Sequence, residues 1–122
     1  LQLPVCIAWR ARCLSEKIFV SDLGSAQSII SLDLNSWEIS IVDTSPVLLM
    51  NDICVFDDTY YMIDKMQGKV FKFDMNFNAL GSRLNFGFKP GFISDPISIC
   101  IKNDQIHILS WLSDRISVLD RF

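Results

Sequence analysis

The strongest metal ligands and nucleophiles in this chain are Cys6, Cys13, Cys54, Cys100 and His107. A closed zinc site needs four converging ligands, commonly supplied in part by a Cys-x-x-Cys pair. No two of these cysteines stand at that spacing, and His107 is the single imidazole. An even cysteine count permits disulfides, yet three of the four are flanked by aliphatic residues, in Val5-Cys6-Ile7, Ile53-Cys54-Val55 and Ile99-Cys100-Ile101. That setting marks small, buried, reduced core residues. Cys13 lies in the polar stretch 10–16 and is expected to be exposed, where the neighbouring arginines favour its thiolate. His107 alternates with Ile106 and Ile108, and no Ser or Cys is spaced to pair with it as nucleophile and base. Neither metal nor cofactor is expected.

The remaining chemistry is carboxylate chemistry. Asp22, Asp33, Asp64, Asp74 and Asp120 each follow a short apolar run. Aspartates there more often accept hydrogen bonds from the following turn than act as acid or base. They are expected to be structural. No catalytic residue is assigned, and the chain is not expected to be an enzyme.

The elements carrying these residues are short strands in a repeating order. Residues 52–74 contain three of them, Ile53–Phe56, Tyr60–Ile63 and Val70–Phe73, separated by turns at Asp57-Asp58 and Gly68. Cys54 follows Cys6 by 48 residues, and Cys100 follows Cys54 by 46. Each cysteine is followed by a second strand, Ile18–Asp22, Tyr61–Asp64 or Ile106–Ser110, and then a third, Ile29–Asp33, Val70–Asp74 or Ile116–Asp120. Unit one has a surplus at Arg10–Lys17, which reads as a longer hairpin loop. Fourth strands are expected at Trp37–Val42 and Leu84–Phe88, and none follows Asp120. No stretch sustains a helical period.

Four-stranded meanders repeating at this interval are the signature of β-propeller blades. The expected fold is an all-β, partial propeller of about two and a half to three four-stranded antiparallel blades. Its units span about 1–46, 47–93 and 94–122, with the last incomplete. Residues 95–109, Asp-Pro-Ile-Ser-Ile-Cys-Ile-Lys-Asn-Asp-Gln-Ile-His-Ile-Leu, resemble the start of an NHL repeat. Tyr61–Asp64 with Lys69–Asp74 resemble its second half, although Ser110 stands where that family has Asp. Asp33-Leu34-Asn35-Ser36-Trp37 resembles the end of a kelch repeat, but the Gly-Gly doublet of that family does not follow any second strand. The NHL resemblance is favoured. It implies a propeller of roughly six blades, so further blades from a longer parent chain, or a second copy, would be needed to close the ring.

At 122 residues and half apolar, the chain is one domain's worth with a real core. Its net charge is −3 and its basic residues are scattered, which disfavours nucleic-acid binding. The longest aliphatic run, Val47–Met50, is too short to cross a membrane as a helix. Starting at Leu1 without a signal-peptide pattern, the chain is expected to be a mature form or a fragment. Unpaired cysteines favour an intracellular location.

Loops on a rigid scaffold carry function. The loops between second and third strands, Leu23–Ser28, Lys65–Lys69 and Trp111–Arg115, share one rim of a propeller. Trp111 and Arg115 are interface-favoured residue types, and Lys65, Gln67 and Lys69 add polar groups. A second candidate is the linker 86–92, with Phe88 and Lys89. The expected function is a non-catalytic binding or scaffold module contacting a protein partner. The alternatives are an RNA-binding NHL-type propeller using Lys65, Lys69, Arg83, Lys89 and Arg115, or a propeller lyase or lactonase whose metal ligands lie outside this segment. The two open flanks are expected to be the apolar face of unit one (Val5, Ile7, Ile18, Val20, Ile30, Leu32) and the edge of the strand ending at Asp120.

Overall fold

Strand hairpins with two-residue turns generate the architecture. In unit two, Met50–Phe56 (β5) pairs with Thr59–Asp64 (β6) around Asp57 and Asp58, both in the left-handed region. In unit three, Pro96–Lys102 (β9) pairs with Gln105–Ser110 (β10) around Asn103 and Asp104, again both left-handed. Paired positive φ angles match the twist of the flanking strands, and Asn and Asp tolerate them without glycine. Unit one repeats the plan: Ala8–Leu14 (β1) pairs with Lys17–Asp22 (β2) around Ser15-Glu16. Third strands follow at Ser28–Asp33 (β3), Lys69–Phe73 (β7) and Arg115–Asp120 (β11). Fourth strands are Ile39–Asp43 (β4) and Ala79–Arg83 (β8).

The computed structural model describes residues 2–4, 7–24, 26–87, 89 and 91–122. The chain is all-β, with eleven strands in three antiparallel sheets ordered β1-β2-β3-β4, β5-β6-β7-β8 and β11-β10-β9. The first strands β1, β5 and β9 lie side by side across the units, so the sheets stack as successive blades of a partial propeller.

Two cores fill the two seams. Side chains alternate faces along a strand, so Tyr60 and Tyr61 serve different seams. Tyr60, Met62, Phe71, Phe73, Ile53 and Met50 meet Phe19 and Ile29 of unit one. Tyr60 stacks on Phe77 at 4.5 Å, and Phe19 meets both rings edge-on. Cys54, Tyr61, Ile63 and Val70 meet Ile99, Ile106 and Ile108 of unit three, with Ile93 of the linker. The first seam is aromatic and the second largely aliphatic.

Several expectations are corrected. The first strand of unit one is 8–14, not a segment around Cys6; Val5 and Cys6 lie outside the described residues. Residues 10–17 form strand and tight turn rather than a long loop, so Arg12, not Cys6, is equivalent to Cys54 and Cys100. Equivalent first strands start at Ala8, Met50 and Pro96, 42 and 46 residues apart. The fourth strand of unit one starts at Ile39, with Trp37 in the preceding turn at positive φ. The fourth strand of unit two is 79–83, not 84–88; Phe86 instead forms an isolated bridge to Ile93. Val20, Ile30 and Leu32 are buried rather than open. Cys100 is exposed, because no further sheet covers its face among the described residues, while Cys54 is buried in the second seam.

Candidate functional site

A repeated set of hydrogen bonds builds the rim. Each loop after a second strand donates a backbone N–H to the residue leading into its unit's first strand: Leu23 to Ile7, Lys65 to Leu49 and Trp111 to Asp95, at 3.0, 3.0 and 3.2 Å. In units one and two a buried aspartate closes the same corner. Asp22 accepts the N–H groups of Ile7 and Gly24. Asp64 accepts those of Leu48, Leu49, Met66 and Gln67, and the Gln67 side-chain amide at 2.6 Å. The aspartates after the third strands behave alike: Asp33 accepts from Asn35 and Ser36, and Asp74 from Asn76 and Asn78. Those backbone and side-chain donors hold both carboxyls below the usual range. Asp22, Asp33, Asp64 and Asp74 are therefore engaged in turn and corner geometry.

Ser110 occupies the position of Asp22 and Asp64 in unit three. It is buried, and among the described residues its hydroxyl has no hydrogen-bond partner, nor has that of buried Ser94.

The rim candidates separate into frame and surface. Lys65 forms an ion pair with Asp95. Gln67 donates to the Pro46 carbonyl as well as to Asp64. Lys69 pairs with Asp64 across β6 and β7. The side chains of Lys65 and Gln67 thus hold loops together, and Lys69 is a ladder position of the sheet. Trp111 stands 65% exposed, and beside the same loops Leu23, Leu48, Met66 and Leu112 are exposed as well. Leu23, Ala26, Leu48, Leu49 and Met66 line a shallow apolar cleft of about 410 Å³ between units one and two. Of these side chains the sequence reading singled out Trp111 alone. The signal available was positional: Leu23 and Trp111 each follow the corner residue directly, and Met66 and Leu112 come one residue later.

The linker forms a second feature. A side chain on Gly68, at φ 61°, would collide with the backbone of Phe86 at 2.6 Å, so the linker rests directly on the unit-two loop. Gly87 donates to Ile93 and Ile93 to Asn85, folding the linker back on itself. Lys89 is exposed and lines a small apolar cleft with Phe86, Gly87 and Phe92. Arg115 stands at the start of β11, along a cleft of about 360 Å³ with Leu84, Phe92 and Leu119. Phe88 lies outside the described residues. The candidate cations are not gathered: Lys65 is paired with Asp95, and Arg83 lies over the Phe122 ring at 4.6 Å.

Polar groups absent from the sequence-derived set cross-link the first strands. Asn51 accepts from the Trp9 indole and Arg10, and donates to the Pro96 carbonyl. Asp52 accepts from Arg12 of unit one and from the Ile99 N–H of unit three. Two adjacent residues of unit two thus tie all three units. No group of three or more potential metal ligands occurs among the described residues. No model of a known protein family matches this sequence, and no curated protein is significantly similar to it.

Proposed function

We propose that this chain is an NHL-like propeller portion that serves as a non-catalytic protein-binding module through its rim. The carrying observation is the exposed set Leu23, Leu48, Met66, Trp111 and Leu112 on loops whose backbone is locked by repeated hydrogen bonds. Contiguous exposed apolar side chains mark interaction surfaces. A rigid frame reduces the ordering cost of binding, and Trp is a favoured anchor. The strands ending in Asp22 and Asp64 support the NHL-like part of the reading.

Selection of a displayed random-peptide library on the immobilised chain tests this. Selected peptides are expected to lose about tenfold or more in affinity to Trp111→Ala or Met66→Ser. The melting temperature should stay nearly unchanged, because neither exposed side chain has much packing to lose. Peptides indifferent to both substitutions would remove the rim from consideration. A titration with single-stranded RNA at two salt concentrations supplies the contrast: tight, steeply salt-dependent binding would replace the protein-binding reading.

A further inference from the structure

At the end of the sheets opposite the apolar rim lie the turns that join first strand to second and third to fourth. In units one and two those turns carry Glu16, Asp33, Asp57, Asp58 and Asp74, with Lys17 beside them. Asp57 pairs with Arg121. Between the two units this end holds a cleft of about 340 Å³, whose lining includes Leu14, Glu16, Lys17, Asp33, Tyr60 and Met75. Its frame is tied together: the Leu34 N–H donates to the Glu16 carbonyl at 2.8 Å, and the Asn35 side-chain amide donates to Glu16 Oε2 at 2.6 Å. The N–H groups of Asn35 and Ser36 both reach the Asp33 carboxylate at Oδ1. Tyr60 is the buried member of the lining, at 6% exposure, with its ring against Phe19 and Phe77. Its hydroxyl makes no hydrogen bond among the described residues and is the polar group it offers to the cleft.

We propose that this cleft receives an arginine side chain of a partner protein, its guanidinium on the Glu16 and Asp33 carboxylates and the Tyr60 oxygen, and its methylene stem against Leu14 and Met75. Charge sets the sign of the occupant. The turns around the cleft are acidic, and the charged groups of its lining are two carboxylates and one ammonium. The apolar walls set its shape. A bare cation would leave Leu14 and Met75 uncovered, whereas arginine lays its stem on apolar surface while its head meets polar groups. The three acceptors set the head group. A guanidinium presents five N–H donors in a planar fork and can serve several acceptors at once. An ammonium is a compact, more strongly hydrated point charge. Buried polar groups normally have a partner, and an arginine N–H would supply the one that the Tyr60 hydroxyl lacks. Lys17 is the resident cation, opposite Asp33 in the β2–β3 ladder. It competes with the occupant for the same carboxylates. The cleft and the apolar rim stand at opposite ends of the sheets, so either reading can fail without the other.

The probe is N-acetyl-arginine methylamide, titrated into the full chain and followed by backbone amide NMR. Saturable shifts are expected over residues 14–17, 33, 60 and 75. The Kd should be about 1 mM, in line with the affinity that small ligands gain per atom. The citrulline analogue keeps the shape and loses the charge, and should bind about fivefold more weakly. The lysine analogue lacks the planar fork and should bind about threefold more weakly. Glu16→Gln should weaken the arginine probe about fivefold, and Tyr60→Phe about threefold. Tyr60→Phe should leave the melting temperature unchanged, because the hydroxyl has no partner to lose, which separates contact with the probe from support of the fold. Lys17→Ala should tighten binding about twofold. No saturable shift by about 20 mM, some twentyfold above the expected Kd, overturns the proposal. So do shifts centred away from the cleft, equal binding of the citrulline analogue, or an affinity indifferent to both Glu16→Gln and Tyr60→Phe. Equal binding of the lysine analogue overturns the choice of arginine.

Discussion

Units two and three share one hairpin plan and differ in what lies against them. Tyr61 and Ile63 of β6 are fully buried, and so is Val70 of β7. At the equivalent positions, His107 is half-buried, Leu109 is 40% exposed and Ile116 is open. Cys54 and Cys100 show the same split, one inside the second seam and one at the surface. The residue types on the two faces are similar; the difference is that unit three covers unit two and no described residue covers unit three. Between units two and three the difference in burial belongs to the neighbouring sheet, whereas in unit one Val20, Ile30 and Leu32 are buried without a further sheet among the described residues. An apolar strand licenses a buried face, and the arrangement of units decides whether it is realised.

The sharpest way to break this comparison is to place one charge at both cysteine positions. Cys54→Asp would bury a carboxylate in the apolar second seam and should destabilise by about 4 kcal/mol in urea unfolding. Cys100→Asp should change stability by no more than about 0.5 kcal/mol, because solvent reaches that face. Equal penalties would show that unit three is covered in solution. Thiol labelling in native buffer should agree, with Cys13 and Cys100 reacting readily and Cys54 resisting.

The corner aspartate provides the next largest effect. Asp64→Ala would leave the N–H groups of Leu48, Leu49, Met66 and Gln67 without their acceptor in a closed corner. A loss of about 3 kcal/mol is expected. Ser110→Ala, at the equivalent corner of unit three, should cost almost nothing, since its hydroxyl has no hydrogen-bond partner among the described residues. A large loss from Ser110→Ala would show that the hydroxyl has a partner in solution.

A pH measurement separates seam from surface on a finer scale. Burial pushes the Cys54 thiol up from 9.0 to about 12, with the nearby Asp52 carboxylate adding to the shift. The folded state therefore holds a proton that the unfolded chain releases. This contribution to stability is complete below about pH 9 and is lost as pH rises toward the folded value. Between pH 9 and 10 the chain should lose about 1 kcal/mol more stability than its Cys54→Ala variant. Identical slopes would remove Cys54 from the protected seam.

The parts of this fold legible in the sequence were those whose pattern is imposed by burial on both sides. Strands β2, β3, β6 and β7 are central in their sheets, and their apolar runs and terminal aspartates are visible without coordinates. β1 was misread because its composition is polar, and its polarity has a cause in the neighbouring unit. Trp9 and Arg10 reach Asn51, and Arg12 reaches Asp52, so charged side chains occupy a strand that sits against another sheet. β8 was missed for the opposite reason: an outer strand buries little, and Ala79–Arg83 carries no apolar pattern. The sequence 84–88 looks more like a strand, yet Gly87 there fits beneath the Phe92 ring, and the backbone turns back to Ile93. Among the site candidates, polar residues drew attention as ligand-binding types. Lys65 and Gln67 spend that polarity inside the frame, leaving the apolar Leu23, Met66 and Trp111 outside.

Ser110→Asp tests whether the corner of unit three is an incomplete copy of the corner in unit two. Asp64 accepts the N–H groups of Leu49 and Met66, and Asp22 those of Ile7 and Gly24. By the same register the corresponding donors in unit three are Asp95 and Leu112. The surrounding frame is conserved in geometry, since Trp111 donates to Asp95 as Lys65 does to Leu49. A carboxylate at 110 is expected to meet these two counterpart donors, and charge-assisted bonds from backbone N–H groups are stronger than neutral ones. Against this stands the cost of burying a charge near the Asp95 carboxylate, which Lys65 offsets by its ion pair. A net gain of about 1 kcal/mol is expected, visible as an upward shift of the urea midpoint at neutral pH. The added carboxylate should have its folded pKa lowered by those donors, so the gain is present above the unfolded carboxylate pKa and lost as pH falls through the folded one. A destabilised variant at neutral pH would mean that the donors of unit three point elsewhere, and that its corner is a different structure from the corners of units one and two.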